Sequence, residues 1–260
     1  MWKSRVVCIT AVITGMAAWG IGAVDKGLWK AVVPEKDADK LISADVEVVK
    51  EAVAQGIADK KSARKAKAAA LLVAGYSQSA MLAYGTKATH YGYLRDRALA
   101  LAQAITDGKT AESKKLAAEL AKVSSPGATK TEAVDLAKYL DLDTLMSSFR
   151  PEGGGGRGWE AKLKKLEGKR SSLSNEDVKD SMQLGYQCAV IAQFTESLAP
   201  AADEGKKKKV DWIKWSREMG ESALAVSKTA SAAKTDEKAL RNALKKLDDS
   251  CTRCHAVFRD

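Results

Sequence analysis

Histidine is almost missing from this chain. Its 260 residues hold two, His90 and His255, beside four cysteines, Cys8, Cys188, Cys251 and Cys254. A structural zinc site takes four ligands of this kind. Outside one short C-terminal motif the chain beyond Cys8 offers only Cys188 and His90, which excludes it. Aromatic residues make up 6% and prolines number four. In their place stand Ala, Lys, Leu and Glu, which lose little side-chain entropy in a helix, so the expectation is an all-α protein. Also lacking is a βαβ pattern in which a C-x-x-C would serve disulfide exchange. No segment carries a signature for hydrolysis, phosphate binding or nucleotide binding.

With 45% hydrophobic and 29% charged residues, the composition fits a soluble globular protein of one or two domains with a sizeable core, and it excludes disorder. The net charge is +10. Basic residues alternate with acidic ones along most of the chain, without a stripe or an aromatic platform, which argues against nucleic acid. The run Lys206 to Lys209 reads first as a solvated loop, with docking to an acidic redox partner as the alternative.

Residues 1–23 have the form of a secretory signal peptide. Lys3 and Arg5 precede an uncharged, mostly apolar stretch that ends in Gly20-Ile21-Gly22-Ala23. Cleavage after Ala23 removes two positive charges and leaves +8 of the +10. The competing reading is an uncleaved membrane anchor, because Val6 to Val24 carries no charge and a span needs about 20 residues. Three glycines and the small residues at the end favour cleavage. Either way the remainder is exported, with the periplasm as the expected location.

Near the C-terminus stands Cys251-Thr252-Arg253-Cys254-His255, a C-x-x-C-H, the attachment signature of haem c. Residues i, i+3 and i+4 share one helix face. Both sulfurs can therefore form thioethers to one macrocycle while His255 reaches the iron as proximal ligand. Leu240, Leu244, Leu247, Cys251, Cys254 and Phe258 follow at spacings of 4, 3, 4, 3 and 4, the seam of an amphipathic helix that turns the cysteines inward.

A C-x-x-C-H in the last turns of the last helix, followed by Phe258-Arg259, resembles the cytochrome c-prime family of four-helix-bundle cytochromes. The resemblance covers roughly the last 100 residues and is specific only in the motif. It implies one covalent haem lying between helices, with Arg259 near its proximal face. It also implies an open sixth iron position behind a bulky apolar side chain. Leu163 and Leu166 supply apolar bulk on the first helix of this region. Met182, Met219 and His90 are the other candidates for the sixth position.

Four helices are expected here: one around Trp159, Leu163 and Leu166; one from about Asn175 to Leu198, capped by Ser174 and Asn175; one from Val210-Asp211 to Ala230; and the motif helix. Trp212 and Trp215 read as core, and Cys188 as a small buried hydrophobe. Gly75 to Tyr84 resembles Gly185 to Phe194 at a displacement of 110, and Phe149-Arg150 matches Phe258-Arg259 at 109. The expected organisation is a leader (1–23), a haem-free helical bundle (24–152), a glycine-rich linker (153–158) and a haem domain (159–260). In this alignment Leu142, Leu145 and Met146 stand where the second half has Cys251, Cys254 and His255.

The leading expectation is a periplasmic monohaem c-type cytochrome that passes single electrons to a partner protein. A five-coordinate haem protein binding nitric oxide or carbon monoxide, a diatomic gas, is the alternative. A haem enzyme ranks last, because a peroxidase needs a distal general base and the motif-bearing half has no second histidine. A homodimer through the first helices stays open, and membrane attachment follows only if the leader is uncleaved.

Overall fold

The computed structural model describes residues 32–122 and 131–258, so the leader and Arg259 lie outside the described residues. The fold is all-α, and among the described residues nine α-helices and three short 3-10 turns account for all regular structure. They are α1 (Glu35–Gln55), α2 (Lys60–Ala83), α3 (Ala88–Thr106), α4 (Thr110–Ala121), α5 (Leu142–Ser147), α6 (Trp159–Gly168), α7 (Asn175–Ser197), α8 (Lys209–Ala230) and α9 (Glu237–Phe258). No described helix is long and apolar enough to cross a membrane.

Local chemistry sets the helix starts. The Asp59 carboxylate accepts from the Ser62 backbone N–H at 2.8 Å and opens α2. Ser174 opens α7 through a capping box with Asp177, each side chain serving the other's backbone N–H. Lys169 donates to the same Asp177 carboxylate, and these bonds hold it well below the usual carboxylate range.

Burial decides which helices lie at the centre. From Ala68 to Met81, α2 has no exposed residue, and α7 is buried without a break from Leu184 to Ala192. A helix apolar on all sides must be covered on all sides. The two central helices touch each other, with Gly75 of α2 against Val190 and Phe194 of α7. Farther along, Tyr186 lies near Tyr84 and Asp37, so α2 and α7 run antiparallel where they meet. In the first half α1 packs on α2, α2 on α3, α3 on α4, and α4 back on α1. In the second half α6 packs on α7, α7 on α8, α8 on α9, and α9 back on α6. The buried apolar side chains of both halves form one continuous core.

Two features depart from the sequence reading. The element that closes the first ring, as α9 closes the second, is α4, and α5 is an additional turn lying on α2. The alignment of Leu142, Leu145 and Met146 with the motif therefore matches sequence but not position. Its physical reason is a difference in connections: only residues 84–87 join α2 to α3, whereas residues 198–208 join α7 to α8. No single displacement can superpose both halves. The glycine-rich segment, expected as a linker, is an ordered turn. The Gly156 N–H donates to the Pro151 carbonyl and the Arg157 N–H to the Ser148 carbonyl, both at 3.1 Å. A side chain at Gly156 would collide with the Arg150 carbonyl.

Candidate functional site

The motif lies in the last two turns of α9. Upstream, Leu240, Leu244 and Leu247 are wholly buried between α6 and α8. From Cys251 onward the same seam opens, and Cys251, Cys254, His255 and Phe258 are all half-buried. The motif thus sits where a fully buried seam becomes half-buried, still flanked by α8. This is the inward side predicted from spacing, but at its open end.

Antiparallel packing of α8 on α9 furnishes the surroundings. Trp212 and Trp215 of α8 both meet the Phe258 ring edge-on, with centroids 4.8 and 5.5 Å apart. One turn along, Arg253 donates to Glu218 at 2.9 Å. With residue 215 level with 258 and 218 level with 253, Met219 comes level with Thr252, within the motif, and it is buried. The indole N–H of Trp212 donates to the Thr195 carbonyl at 2.5 Å, so the expected core tryptophan is core with its polar edge satisfied.

The two thiols are electrostatically quiet. Burial pushes Cys251 up to about 12, opposed by a hydrogen bond from Ser250 and aided by the charges of Asp248 and Glu160. Burial also raises Cys254. Both are therefore neutral thiols at physiological pH, unlike the low-pKa thiolates of disulfide-exchange centres. Cys188 is fully buried on α7, as expected of a small hydrophobe, and burial raises its thiol well above the ordinary value, with Cys251 adding a smaller push. Among the described residues no three His, Cys, Asp or Glu side chains converge on a point that could hold a bare metal ion. An open polar groove of about 570 Å³ between α8 and α9 is lined by Glu218, Thr252 and Arg253. The thiols and His255 line none of it.

The remaining candidates are dispersed. His90 lies in the first turn of α3, half-buried, edge-on to Tyr91 at 5.4 Å, on a helix that packs against α2 and α4. Met182 is half-buried on α7, its carbonyl accepting from Ser227. Lys206 to Lys209 run through an exposed turn into the first residue of α8, and Lys208 pairs with Asp203 at 3.6 Å. Because α8 and α9 are antiparallel, this run lies at the same end as the motif.

Sequence reasoning missed a buried polar cluster between the halves. Asp45 of α1 is wholly buried and forms an ion pair with Arg157, while Tyr76 of α2 is buried beside them. Burial raises the Asp45 carboxyl, with Arg157 pulling the other way. The signal was present: Asp45 interrupts the apolar stripe of Leu41, Ile42, Val46 and Val49, and an acid there needs a buried partner. No protein-family model, no curated protein and no solved structure matches the chain.

Proposed function

We propose that the chain is an exported monohaem c-type cytochrome that transfers single electrons, with haem c held by thioethers from Cys251 and Cys254 and with His255 as proximal iron ligand. The observation that carries this reading is the placement of two neutral thiols and an imidazole along one side of α9, where its seam opens beside Trp212, Trp215 and Phe258. Spread over one helical turn rather than gathered on a point, the set suits a flat macrocycle, in which sulfurs take the periphery and only the imidazole takes the metal. Each thiol would add its S–H across a vinyl C=C, so the step needs reduced, accessible thiols and no oxidant. Haem would supply the one-electron couple. The two sulfurs would anchor its edge, His255 would ligate the iron, and the aromatic cluster of Trp212, Trp215 and Phe258 would shelter it from water. A leader over residues 1–23, a periplasmic location, two up-and-down four-helix bundles and likeness to the cytochrome c-prime family complete the reading. The α1–α4 unit is a haem-free partner bundle, and the exchange is with a redox protein, without catalysis.

Expression of the full chain with the cytochrome maturation machinery tests it. A pyridine haemochrome of c type and a pigment that survives acid acetone are expected, both lost in the Cys251→Ala, Cys254→Ala double variant. A colourless wild type would end the proposal.

The second reading, a five-coordinate haem that binds nitric oxide or carbon monoxide, draws on the wholly apolar Leu163 and Leu166 that α6 packs inward beside α9. The first reading has Met219 level with the motif. A ferrous spectrum that is low spin in the wild type and high spin in Met219→Leu assigns the thioether. A high-spin ferrous wild type that binds carbon monoxide assigns the gas binder.

A further inference from the structure

We propose that Asp45 and Arg157 are positioning residues: their buried ion pair fixes the N-terminal end of α6, the end that lies near Cys251 of α9, so the first half of the chain sets the geometry of the motif. The haem consequence rests on the function proposed above, whereas the mechanical one does not.

The two ends of α6 are held differently. α6 and α9 run antiparallel. Arg241, near the start of α9, donates to the Lys169 carbonyl and, at 2.7 Å, to the Ser171 carbonyl just beyond the C-terminal end of α6. That end is tied down within its own half. At the other end Glu160, in the first turn of α6, lies near enough to Cys251 for its charge to act on the thiol. This is the end beside the motif; Lys162 pairs with Asp180 of α7 at 2.8 Å, and the remaining ties lead to the segment before the helix and to the first half.

Trp159, the first residue of α6, is buried. Its ring meets Phe149 edge-on at 5.7 Å and carries the Arg157 guanidinium over its face at 4.7 Å. The same guanidinium reaches into α1 to pair with Asp45, which has no exposed surface. One side chain thus clasps the start of α6 and the interior of the first half together. Removing either charge leaves the other buried and unpaired, a far larger penalty than the loss of a surface ion pair. The ordered turn from Pro151 to Gly158 presents Arg157 to this position, with Gly158 at φ +69° immediately before the helix.

The test uses the full chain expressed with the maturation machinery, as wild type, Asp45→Asn, Arg157→Met and the charge-keeping Arg157→Lys. Two readouts are taken. In both charge-removing variants, amide hydrogen exchange over residues 159–163 is expected to accelerate by about tenfold or more, with α3 amides 98–105 unchanged. Carbon monoxide affinity or reduction potential of the bound haem should also move, the affinity by about threefold. Arg157→Lys should recover part of both. Exchange at 159–163 equal to wild type in Asp45→Asn and Arg157→Met would overturn the clamp. Faster exchange with unaltered spectrum, affinity and potential would reduce the pair to a structural contact and overturn its positioning role. If the wild type is colourless the haem reading fails on its own. The clamp is then decided by exchange together with iodoacetamide alkylation of Cys251, expected to rise about tenfold in Asp45→Asn, with an unchanged rate counting against it.

Discussion

α4 and α9 occupy the same station, each closing its ring against the first and third helices of its half. The first spans Thr110–Ala121, and its buried stripe is Ser113, Leu116, Ala117 and Leu120. The second spans Glu237–Phe258, with a comparable stripe of Leu240, Ala243, Leu244 and Leu247 that then continues, half-buried, as far as Phe258 against Trp212 and Trp215 of α8. Closing a ring needs only about three turns of apolar seam. The additional turns of α9 are where Cys251, Cys254 and His255 lie, half-exposed, so the proposed haem attachment falls on turns beyond those that α4 needs to close its own ring. α4 stops where its seam stops and has neither cysteine nor histidine.

That contrast can be broken by cavities. Leu244→Ala in α9 should cost about 4 kcal/mol and Leu116→Ala in α4 about 2 kcal/mol, because a seam residue midway along a long helix can relax less into its cavity than one on a short helix. Urea unfolding of the full chain measures both. Since the core is continuous between the halves, each variant should still unfold in a single transition. Two separate transitions would mean that the halves stand alone, and equal costs would mean that length does not distinguish the helices.

A finer comparison uses the repeated glycines. Gly75 and Gly185 match in the sequence repeat, yet they face different neighbours. A methyl group at Gly75 would meet side chains, Phe194 at 2.6 Å and Val190 at 2.7 Å. At Gly185 it would meet the Ser227 hydroxyl at 2.3 Å and the Ala223 carbonyl at 2.7 Å on α8. Rings and methyls can shift, whereas helix backbone moves only with its helix. Alanine gains about 1 kcal/mol of helix propensity at either site, against overpacking of about 1–3 kcal/mol. Gly185→Ala should therefore lose about 2 kcal/mol and Gly75→Ala less than about 1 kcal/mol, measured by thermal or urea unfolding. A reversed order would mean that the glycines play equivalent roles after all.

Those glycines also mark how far the sequence could be read. The helices of the second half were legible because each carries its own signal: Ser174 as cap, Trp212 to Ala230 and Leu240 to Phe258 as seams, with burial following the predicted faces. The side of α9 that bears the thiols was legible from spacing alone. What escaped was everything set by contact between distant segments. Repeat arithmetic aligned Phe149 with Phe258, but α4 closes the first ring because unequal connecting segments shift the register. The glycine run read only as a linker, because composition does not reveal that Lys61 and the Arg150 carbonyl crowd it. Asp45 was visible as an anomaly in an apolar stripe, while its partner, more than a hundred residues away, was not.

The thiol on the exposed turns of α9 offers the smallest and sharpest measurement. In the chain without haem, Cys251 is raised from the ordinary thiol value of 9.0 to about 12 by burial. The unfolded chain releases that proton near pH 9, while the folded chain retains it until about pH 12. Between these values the folded state binds more protons, so stability falls as pH rises. Because Cys251 is only half-buried, solvent screening reduces the effect to about 1 kcal/mol across this window. Tyrosines titrate in the same range, so the quantity to measure is the difference between wild type and Cys251→Ala in urea midpoint from pH 8 to 11. The wild type should lose the extra stability and the variant should not. Parallel curves would mean that water reaches the sulfur freely, and the end of α9 would then be a bare extension with no shelter for a cofactor edge.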